Sequence, residues 1–381
     1  MKVCGIIAEY NPFHNGHRYQ IEQARKLSGC DMVIAVMSGN FVQRGEPAII
    51  DKWKRAKAAI ENGVDLVIEL PYFYATQSAS KFAYGAVELL KIAKVDYISF
   101  GSECANLENL QEIADTSLNP DNLRESMQTG MSFPRAYSLL TGSMEPNDIL
   151  AVSYLKHLKE SNIQPVIVQR TSGYLSPEIS ENASALAIRK ALKNNESLAS
   201  STPMEEILKE STQVYPEQFY PYLRTYLLTS SRKQLEDMFL FNEGIENHLR
   251  KCAADNDTYE GFLRDATTYR YTSNRIRRSI LQAMVQLTKY EAQRLPALDH
   301  LRILAFNNTG KKWLHDMRKE DMRICSKFAD VPFPWRTLEY RSTLLYTSVL
   351  PSEERKRLLK LEISGAHYIL SLIHISEPTR Q

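Results

Sequence analysis

The chain has 381 residues, which is enough for two domains or one large one. Charged residues make up 24% of it and hydrophobic residues 43%, as in an ordinary globular protein. With a net charge of only +2, the protein as a whole does not attract a polyanionic partner electrostatically. Any nucleic-acid-binding surface must therefore be a local basic patch. Five widely spaced cysteines argue against a zinc site or a disulfide scaffold. With no secretory pattern and no membrane-length apolar stretch, we expect a cytoplasmic protein.

The first half of the chain alternates strand-like and helix-like segments, which is typical of βαβ units and a parallel sheet. The predicted strands are short, apolar and β-branched: Val3–Ala8, Met32–Met37, Val64–Leu70, Tyr97–Phe100 and Pro165–Val168. Helical patterns lie between them: His17–Leu27, Lys52–Glu61, Ser80–Lys91 and Ile149–Lys159. We therefore predict an α/β fold with a Rossmann-like domain over residues 1–192.

The first predicted strand runs directly into a motif with two histidines, His14-Asn15-Gly16-His17. Imidazoles three positions apart fall on one face of a helix. Gly16 lets the backbone approach a ligand, and the helix N-terminus offers unpaired N–H groups to an anion. A surface turn with two solvated histidines is the alternative. The position after the first strand of an α/β pattern favours a phosphate site.

Polar loops follow three more of the predicted strands. The segment Ser38–Pro47 follows the second strand, and its two glycines, Asn40 and Arg44 suit a polar ligand. Gly101-Ser102-Glu103 follows the fourth strand, where a glycine lets a flat ring such as adenine pack against the backbone. Arg170-Thr171 follows the fifth strand. All three loops should meet the histidine motif at the carboxyl edge of the sheet.

A second phosphate clamp is predicted further along, where Ser184 stands near a helix start and Arg189 follows one turn later. No side chain in the combined set resembles a covalent nucleophile. The pattern suits adenylyl transfer, in which an anion attacks the α-phosphate of ATP and pyrophosphate leaves. The protein would act by positioning the reactants and stabilising charge, with His14, His17 and Arg189 as the catalytic candidates.

The second half of the chain changes character. Thr202-Pro203-Met204-Glu205 predicts a helix start, with an N-cap and a proline in the first turn. From there to about Leu361 the pattern is helical and strand-like runs are absent, so we predict an α-helical domain over residues 193–369. Residues 370–381 resemble the translation of a sequencing adapter. We expect a non-native tail there and exclude it from further inference.

One stretch of the predicted helical domain is strongly basic. Residues 261–290 contain six Lys or Arg against one acid, with Tyr269 and Tyr271 interleaved as stacking surfaces. On a helix from about Ser273, Ile276, Ile280 and Met284 would form an apolar stripe. Arg275 and Arg278 would then face outward. This predicts RNA binding, with a solvated helix face as the alternative. The candidate RNA-binding residues are Arg264, Arg270, Tyr271, Arg275, Arg277 and Arg278.

Two of these motifs are similar to the HxGH and S-x-x-x-I-R elements of the HIGH-type nucleotidyltransferase superfamily. A more specific set of segments resembles the bacterial tRNA(Met) cytidine acetate ligase family, and the resemblance covers about Met1 to Leu361. These segments are Glu9–His17, Met37–Pro47, Asp65–Pro71, Phe100–Glu103 and Pro146–Leu150. Leu186 departs from the family pattern, since a small polar residue is expected there.

The resemblance implies a reaction and a set of ligands. ATP and acetate would form acetyl-adenylate, and the acetyl group would pass to N4 of the wobble cytidine of elongator tRNA(Met). Mg²⁺ would bridge phosphate oxygens of ATP, although no carboxylate cluster marks its ligands. By resemblance, ATP is bound by Ile7, Ala8, Glu9, Tyr10, Asn11, Pro12, Phe13, His14, Asn15, Gly16, His17, Arg18, Tyr19, Gln20, Gly101, Asn147, Arg170 and Thr171, to which the clamp adds Ser184.

Two other functions stay open from the residues alone. A small-molecule adenylyltransferase of the same superfamily would need little beyond the sheet domain, so the large basic helical domain argues against it. A non-catalytic RNA-binding protein with a degenerate nucleotide fold would not need His14, His17 and Arg189. No membrane partner is expected, and the sequence does not indicate an oligomeric state.

Overall fold

The computed structural model describes residues 1–116, 144–170, 183–198, 200–320 and 322–370. Within these ranges, ten strands form one main sheet and one small hairpin. In chain order they are β1 (Val3–Ala8), β2 (Met32–Ser38), β3 (Phe41–Val42), β4 (Glu46–Pro47), β5 (Leu66–Leu70), β6 (Tyr97–Ser102), β7 (Gln164–Gln169), β8 (Leu301–Phe306), β9 (Ile324–Cys325) and β10 (His367–Tyr368).

The main sheet has the order β10-β8-β5-β2-β1-β6-β7, with β9 paired to β8. Its five strands from the first half, β5, β2, β1, β6 and β7, are parallel, as predicted. Strand β2 is buried along its whole length because its alternate residues pack into two different apolar clusters. The strands β3 and β4 form the hairpin that projects from the carboxyl end of β2.

Helices cover both faces of the sheet. Helices α1 (Asn15–Ser28) and α2 (Lys52–Glu61) contribute to one apolar cluster, and α4 (Ala79–Ile92) contributes to the other. The four helical segments predicted for the first half are confirmed to within a few residues. The other helices of this part are α3 (Tyr72–Ala75), α5 (Leu107–Asp115), α6 (Pro146–Leu158), α7 (Ala185–Lys193) and α8 (Glu205–Glu210).

A separate helical unit, residues 220–284, has its own apolar core. Tyr220, Leu249, Phe262 and Ile276 belong to this third cluster, whose fully buried members lie between Tyr220 and Ala283. Its helices are α9 (Tyr220–Thr229), α10 (Arg232–Glu236), α11 (Ile245–Asp255), α12 (Tyr259–Ala266) and α13 (Ser273–Met284), and α14 (Lys289–Gln293) follows. The apolar stripe predicted for α13 is confirmed, since Ile276 and Ile280 are buried.

After the helical unit the chain returns to the sheet, so the prediction that strands are absent from the second half is wrong. Strand β8 pairs antiparallel with β5, and β9 and β10 run parallel to β8. Helices α15 (Asn308–Met317), α16 (Phe333–Thr347) and α17 (Ser352–Glu362) pack around this extension. The strand is easily missed because Arg302 interrupts a short apolar run, and ion pairs to Glu69 and Glu362 allow its burial.

The helix start predicted at Thr202–Glu205 is displaced by two residues, because α8 begins at Glu205 with Met204 as its N-cap. The Thr202 hydroxyl donates instead to the Phe13 carbonyl at 2.6 Å and accepts from the Met204 N–H at 3.0 Å. The C-terminal tail proposed for residues 370–381 lies, apart from Leu370, outside the described residues. Among the described residues, no helix combines the length and apolar character needed to cross a membrane.

Candidate active site

A cavity of about 470 Å³ opens at the carboxyl edge of the parallel strands. This volume lies in the range of small-molecule sites. The structure brings residues from all of the predicted loops to its wall, together with the start of α13. From the predicted set, the lining residues are Ile7, Ala8, Glu9, Tyr10, Asn11, His14, His17, Gln20, Gly101, Asn147, Arg170, Ser184, Arg189 and Arg278.

The two histidines form the N-terminal cap of α1. Nδ1 of His14 accepts the Gly16 N–H at 3.1 Å, and Nδ1 of His17 accepts the His14 N–H at 3.2 Å. This reciprocal arrangement satisfies two backbone donors at the helix start. The rings stack with their centroids 3.7 Å apart, and Tyr10 and Phe13 pack against His17.

Burial keeps both imidazoles neutral. Desolvation, followed by repulsion from Arg170 and Arg189, lowers the pKa of His14 to about 3. Desolvation, followed by the proximity of His14 and Arg170, holds the pKa of His17 well below its ordinary value. A neutral ring that accepts at Nδ1 carries its proton on Nε2. Each histidine therefore retains one N–H donor that is not used by the helix cap.

Two arginines stand beside the histidines. Arg189 lies one turn into α7 and donates from Nη1 to the Asn11 carbonyl at 2.6 Å, which ties it to the histidine loop. The N-cap of α7 is Ser184, whose hydroxyl accepts the Ala187 N–H. Arg170 directly follows β7, and its Nε lies 3.7 Å from Oε1 of Glu103. The arrangement provides two neutral donors and two cations, which suits a polyphosphate.

The loop after β6 is organised by a residue that the sequence did not indicate. Oδ1 of Asp148 accepts the Ser102 hydroxyl at 2.5 Å and the Glu103 N–H at 3.1 Å. The neighbouring Asn147 donates to Oε1 of Glu103 at 2.5 Å. The Gly101 backbone is close to the Arg170 side chain: a Cβ added to Gly101 would lie 3.4 Å from Cγ of Arg170. The signal available in the sequence was an Asp in the first turn of the helix, directly after Asn147.

Not every residue of the predicted ATP set lines this cavity. Gly16 and Tyr19 line a smaller adjoining cavity of about 40 Å³. Phe13 belongs to the core, and the Asn15 amide donates to the Ser200 carbonyl. Pro12 and Arg18 line neither cavity. Thr171 lies outside the described residues.

One wall of the cavity joins the predicted loop after β2 to α13, a contact that the sequence did not indicate. It is formed by Val42, Gln43, Arg44 and Glu46 of the β3–β4 hairpin and by Thr272, Asn274 and Arg278 at the start of α13. Oε1 of Glu9 accepts the Gln43 N–H at 2.7 Å, and burial raises the pKa of Glu9. The polar composition of the hairpin was visible in the sequence, but its contact with α13 was not.

The predicted RNA-binding residues divide into several environments. Arg264 pairs with the adjacent Asp265, and Arg270 pairs with Glu243. Arg277 forms a 3.1 Å ion pair with Glu46. The prediction that Arg278 faces outward is wrong, because it lines the cavity.

Tyr271 does not offer a free stacking surface, so this prediction is also wrong. Its side chain is buried, and the guanidinium groups of Arg270 and Arg275 lie 5.9 and 5.4 Å from its ring centroid. Tyr269, by contrast, is 52% exposed.

A metal site built from protein side chains alone is not found in the part of the chain that the structure describes. No group of three or more His, Cys, Asp or Glu residues there could hold an ion. The cavity wall offers histidine N–H groups and guanidinium groups, which repel cations and attract phosphate.

Comparison with known proteins shows what the chain is similar to. A family model described as HIGH Nucleotidyl Transferase matches residues 1–360. The tRNA(Met) cytidine acetate ligase of Oceanobacillus iheyensis is 35% identical over 396 residues, covering 96% of this chain and 99% of that protein. A protein of the same name from Caldanaerobacter subterraneus subsp. tengcongensis is 41% identical over 360 residues, covering 86% of this chain and 89% of that protein.

Solved structures agree with this similarity. The apo crystal structure of Thermotoga maritima TmcAL superposes with a TM-score of 0.86 at 31% identity and covers 97% of this chain and 100% of that one. The same protein bound with alpha-thio ATP gives a TM-score of 0.85 at 32% identity. The resemblance stated from the motifs is confirmed, and the chain belongs to the tRNA(Met) cytidine acetate ligase family of HIGH nucleotidyl transferases.

Proposed function

We propose that this protein is an ATP-dependent ligase that activates acetate and acetylates N4 of the wobble cytidine of elongator tRNA(Met). The observation that carries the proposal is the pairing of two neutral histidine donors with Arg170 and Arg189 in one cavity. The name shared by relatives that match over most of the chain supports the substrate, and the analogue bound to the Thermotoga protein supports ATP.

In the first step, an acetate oxygen attacks the α-phosphorus of ATP and the bond to the β-phosphate oxygen breaks. Pyrophosphate leaves with the electron pair, and acetyl-adenylate forms. We propose that His14 and His17 donate their Nε2–H groups to phosphate oxygens while Arg189 and Arg170 offset the charge that grows on the leaving group. Such preorganised donors act most strongly in a buried site. Mg²⁺ would add positive charge that offsets the charge of the phosphates.

In the second step, the N4 amine of cytidine attacks the acetyl carbonyl carbon, AMP leaves, and the amine loses a proton. No covalent bond to the protein is needed. The cavity lies below the hairpin and α13, so the acceptor nucleotide must leave the base stack to reach it, as in other enzymes that modify bases.

We propose that the RNA is held chiefly by the helical unit, residues 220–284, rather than by all of the predicted domain 193–369. Arg264 and Arg270 are exposed. Arg270 directly follows the exposed Tyr269 in the chain, which gives a cation next to a stacking surface. Arg275 lies between this group and the cavity wall. Arg277 contributes to the joint with the hairpin instead.

Incubation of the protein with ATP, labelled acetate and an elongator tRNA(Met) transcript tests this function. Mass spectrometry should find the label on the wobble cytidine, and ATP–pyrophosphate exchange should depend on acetate. Exchange that requires a phosphopantetheine-like or mononucleotide substrate in place of acetate would contradict the proposal and favour a small-molecule adenylyltransferase.

A further inference from the structure

One wall of the cavity lies outside the groups proposed to hold ATP. This acceptor wall consists of Gln43, Arg44 and Glu46 on the hairpin and Thr272, Asn274 and Arg278 on the helical unit. It adjoins the ATP groups, since the Gln43 N–H donates to Oε1 of Glu9, and it also belongs to the unit proposed to hold RNA.

The backbone of Arg278 is fixed against the hairpin. An added Cβ on Gly45 would lie 2.6 Å from the Arg278 nitrogen and 2.7 Å from the Arg277 carbonyl carbon, so the two segments are in direct contact. The Arg277–Glu46 ion pair at 3.1 Å secures the same joint. These contacts hold the Arg278 side chain at the cavity.

Most polar side chains of the acceptor wall already have partners. Glu46 pairs with Arg277, Oδ1 of Asn274 also accepts from Arg277, and the side-chain amide of Gln43 donates to the Gln77 backbone carbonyl. The Thr272 hydroxyl caps α13 by accepting the Arg275 N–H. Arg44 lies near enough to Glu9 for its charge to oppose the raised pKa of that carboxyl, which leaves Arg278 to be considered separately.

Arg278 is half-buried, and no hydrogen bond or ion pair of its guanidinium is found within the described ranges. Burial, with a further contribution from Arg275, lowers its pKa to about 10. Keeping a desolvated cation without a counter-charge is costly unless a ligand supplies one. An anion that arrives with a substrate is the complementary partner.

The ATP phosphates are assigned above to the two histidines, Arg170 and Arg189. The reaction decides between the two sources of anion that remain. The acetate carboxylate loses its charge when the adenylate forms, so a cation fixed on it would favour the reactant over the intermediate. A phosphate of the RNA backbone keeps its charge through both steps. Arg278 also belongs to the helical unit that carries the other proposed RNA contacts.

We propose that Arg278 binds a backbone phosphate beside the extruded acceptor nucleotide and so positions its base against the adenylate. The acceptor wall is then the binding site for a single-stranded pyrimidine nucleotide. This inference rests on the proposed function, because it assumes that the second substrate is RNA.

The test compares Arg278→Met and Arg278→Lys with the wild type, using an elongator tRNA(Met) transcript, ATP and acetate. Arg278→Met should lower kcat/KM for acetyl transfer roughly 10- to 100-fold, which is the loss expected for one charge-assisted contact. This loss should exceed any loss in acetate-dependent ATP–pyrophosphate exchange by about tenfold. The salt slope of transcript binding should fall by about 0.7, and Arg278→Lys should recover part of the loss.

Arg232→Met is the matched control, since Arg232 is exposed on the same unit and pairs with Glu236. Circular dichroism would show that each variant is folded. Equal losses in exchange and transfer, with a raised KM for acetate, would assign Arg278 to acetate and overturn the proposal, as would unchanged transfer. If the wild type makes no acetyl-adenylate, the proposed function fails, while the salt slope of transcript binding still tests the phosphate contact.

Discussion

The two histidines of the α1 cap each have two tasks, and the structure separates these tasks by nitrogen atom. Nδ1 of each ring accepts a backbone N–H of the cap, whereas Nε2 is the donor proposed for phosphate. The motif could be predicted from the sequence because strand, glycine turn and helix are adjacent in the chain. The neutral state of the rings could not, because it depends on burial and on Arg170 and Arg189, which are distant in sequence.

A substitution at His17 can remove one task and leave the other. The Oδ1 of Asn can replace Nδ1 as a cap acceptor, but Asn cannot reach the phosphates as Nε2 does. His17→Asn should therefore lower acetate-dependent exchange roughly 100- to 1000-fold, as expected for one lost transition-state donor. Exchange assays and urea unfolding would measure the two effects.

His17→Ala is the comparison, because it removes the cap acceptor as well. It should lose a similar amount of activity and be less stable than His17→Asn by about 1 kcal/mol, which is typical of a helix cap. Retention of substantial exchange in both variants would show that His17 does not contact the phosphates.

At the scale of elements, the catalytic cavity depends on the contact between the β3–β4 hairpin and α13. Gly45 has a φ of +79°, and its Cα faces the backbone of Arg277 and Arg278 at a distance that leaves no room for a side chain. The alternation of strands and helices predicted the sheet that carries the hairpin. It could not predict that a helix more than 200 residues later closes the site. Periodicity indicates which face of an element is buried, but not which other element packs against that face.

Gly45→Ala should separate these two elements. Besides the strain of a positive φ, the new methyl group would press on α13, and such overpacking costs about 1–3 kcal/mol. Transfer to the transcript should fall more than exchange, because the acceptor wall opens while the histidine cap stays in place. Thermal unfolding and the two activity assays would measure this.

Gly244→Ala provides the matched control. Gly244 has a φ of +80°, and no atom lies within 4 Å of an added Cβ. It therefore carries the backbone strain without the clash. Similar losses of transfer in both variants would mean that the hairpin contact does not shape the site.

Over the whole molecule, a buried ring of charges joins the first and last parts of the chain. Lys52 contacts Glu69 at 2.6 Å and Glu362 at 2.8 Å, and Arg302 contacts the same two carboxylates at 2.6 and 2.7 Å. The four side chains come from α2, β5, β8 and α17 and alternate in sign. Nothing local in the sequence marks them as partners, which is also why the strand containing Arg302 was missed.

A third acid, Glu339, lies close to this ring and differs from the other two in its protonation state. Burial, followed by repulsion from Glu69, raises its pKa to about 8. Lys52 and Arg302 are already balanced by two carboxylates, so a further charge is not compensated. Glu339 is therefore neutral near pH 7, and it accepts the Tyr72 N–H at 2.6 Å.

Two isosteric substitutions at the ring should lower the free energy of unfolding by very different amounts. Glu362→Gln leaves a buried positive charge without its partner and should cost roughly 3–5 kcal/mol of unfolding free energy. Glu339→Gln replaces a neutral acid with a neutral amide and should cost much less.

The stability of the protein should also depend on pH through Glu339. Because folding raises the pKa of Glu339 above 4.5, its contribution to stability is full below that pH and is lost as the pH rises toward 8. Glu339→Gln should flatten this decline in denaturant unfolding series between pH 5 and pH 8, while the exposed control Glu353→Gln should leave both stability and its pH dependence unchanged. A large loss from Glu339→Gln near pH 7 would show that Glu339 is a charged member of the ring.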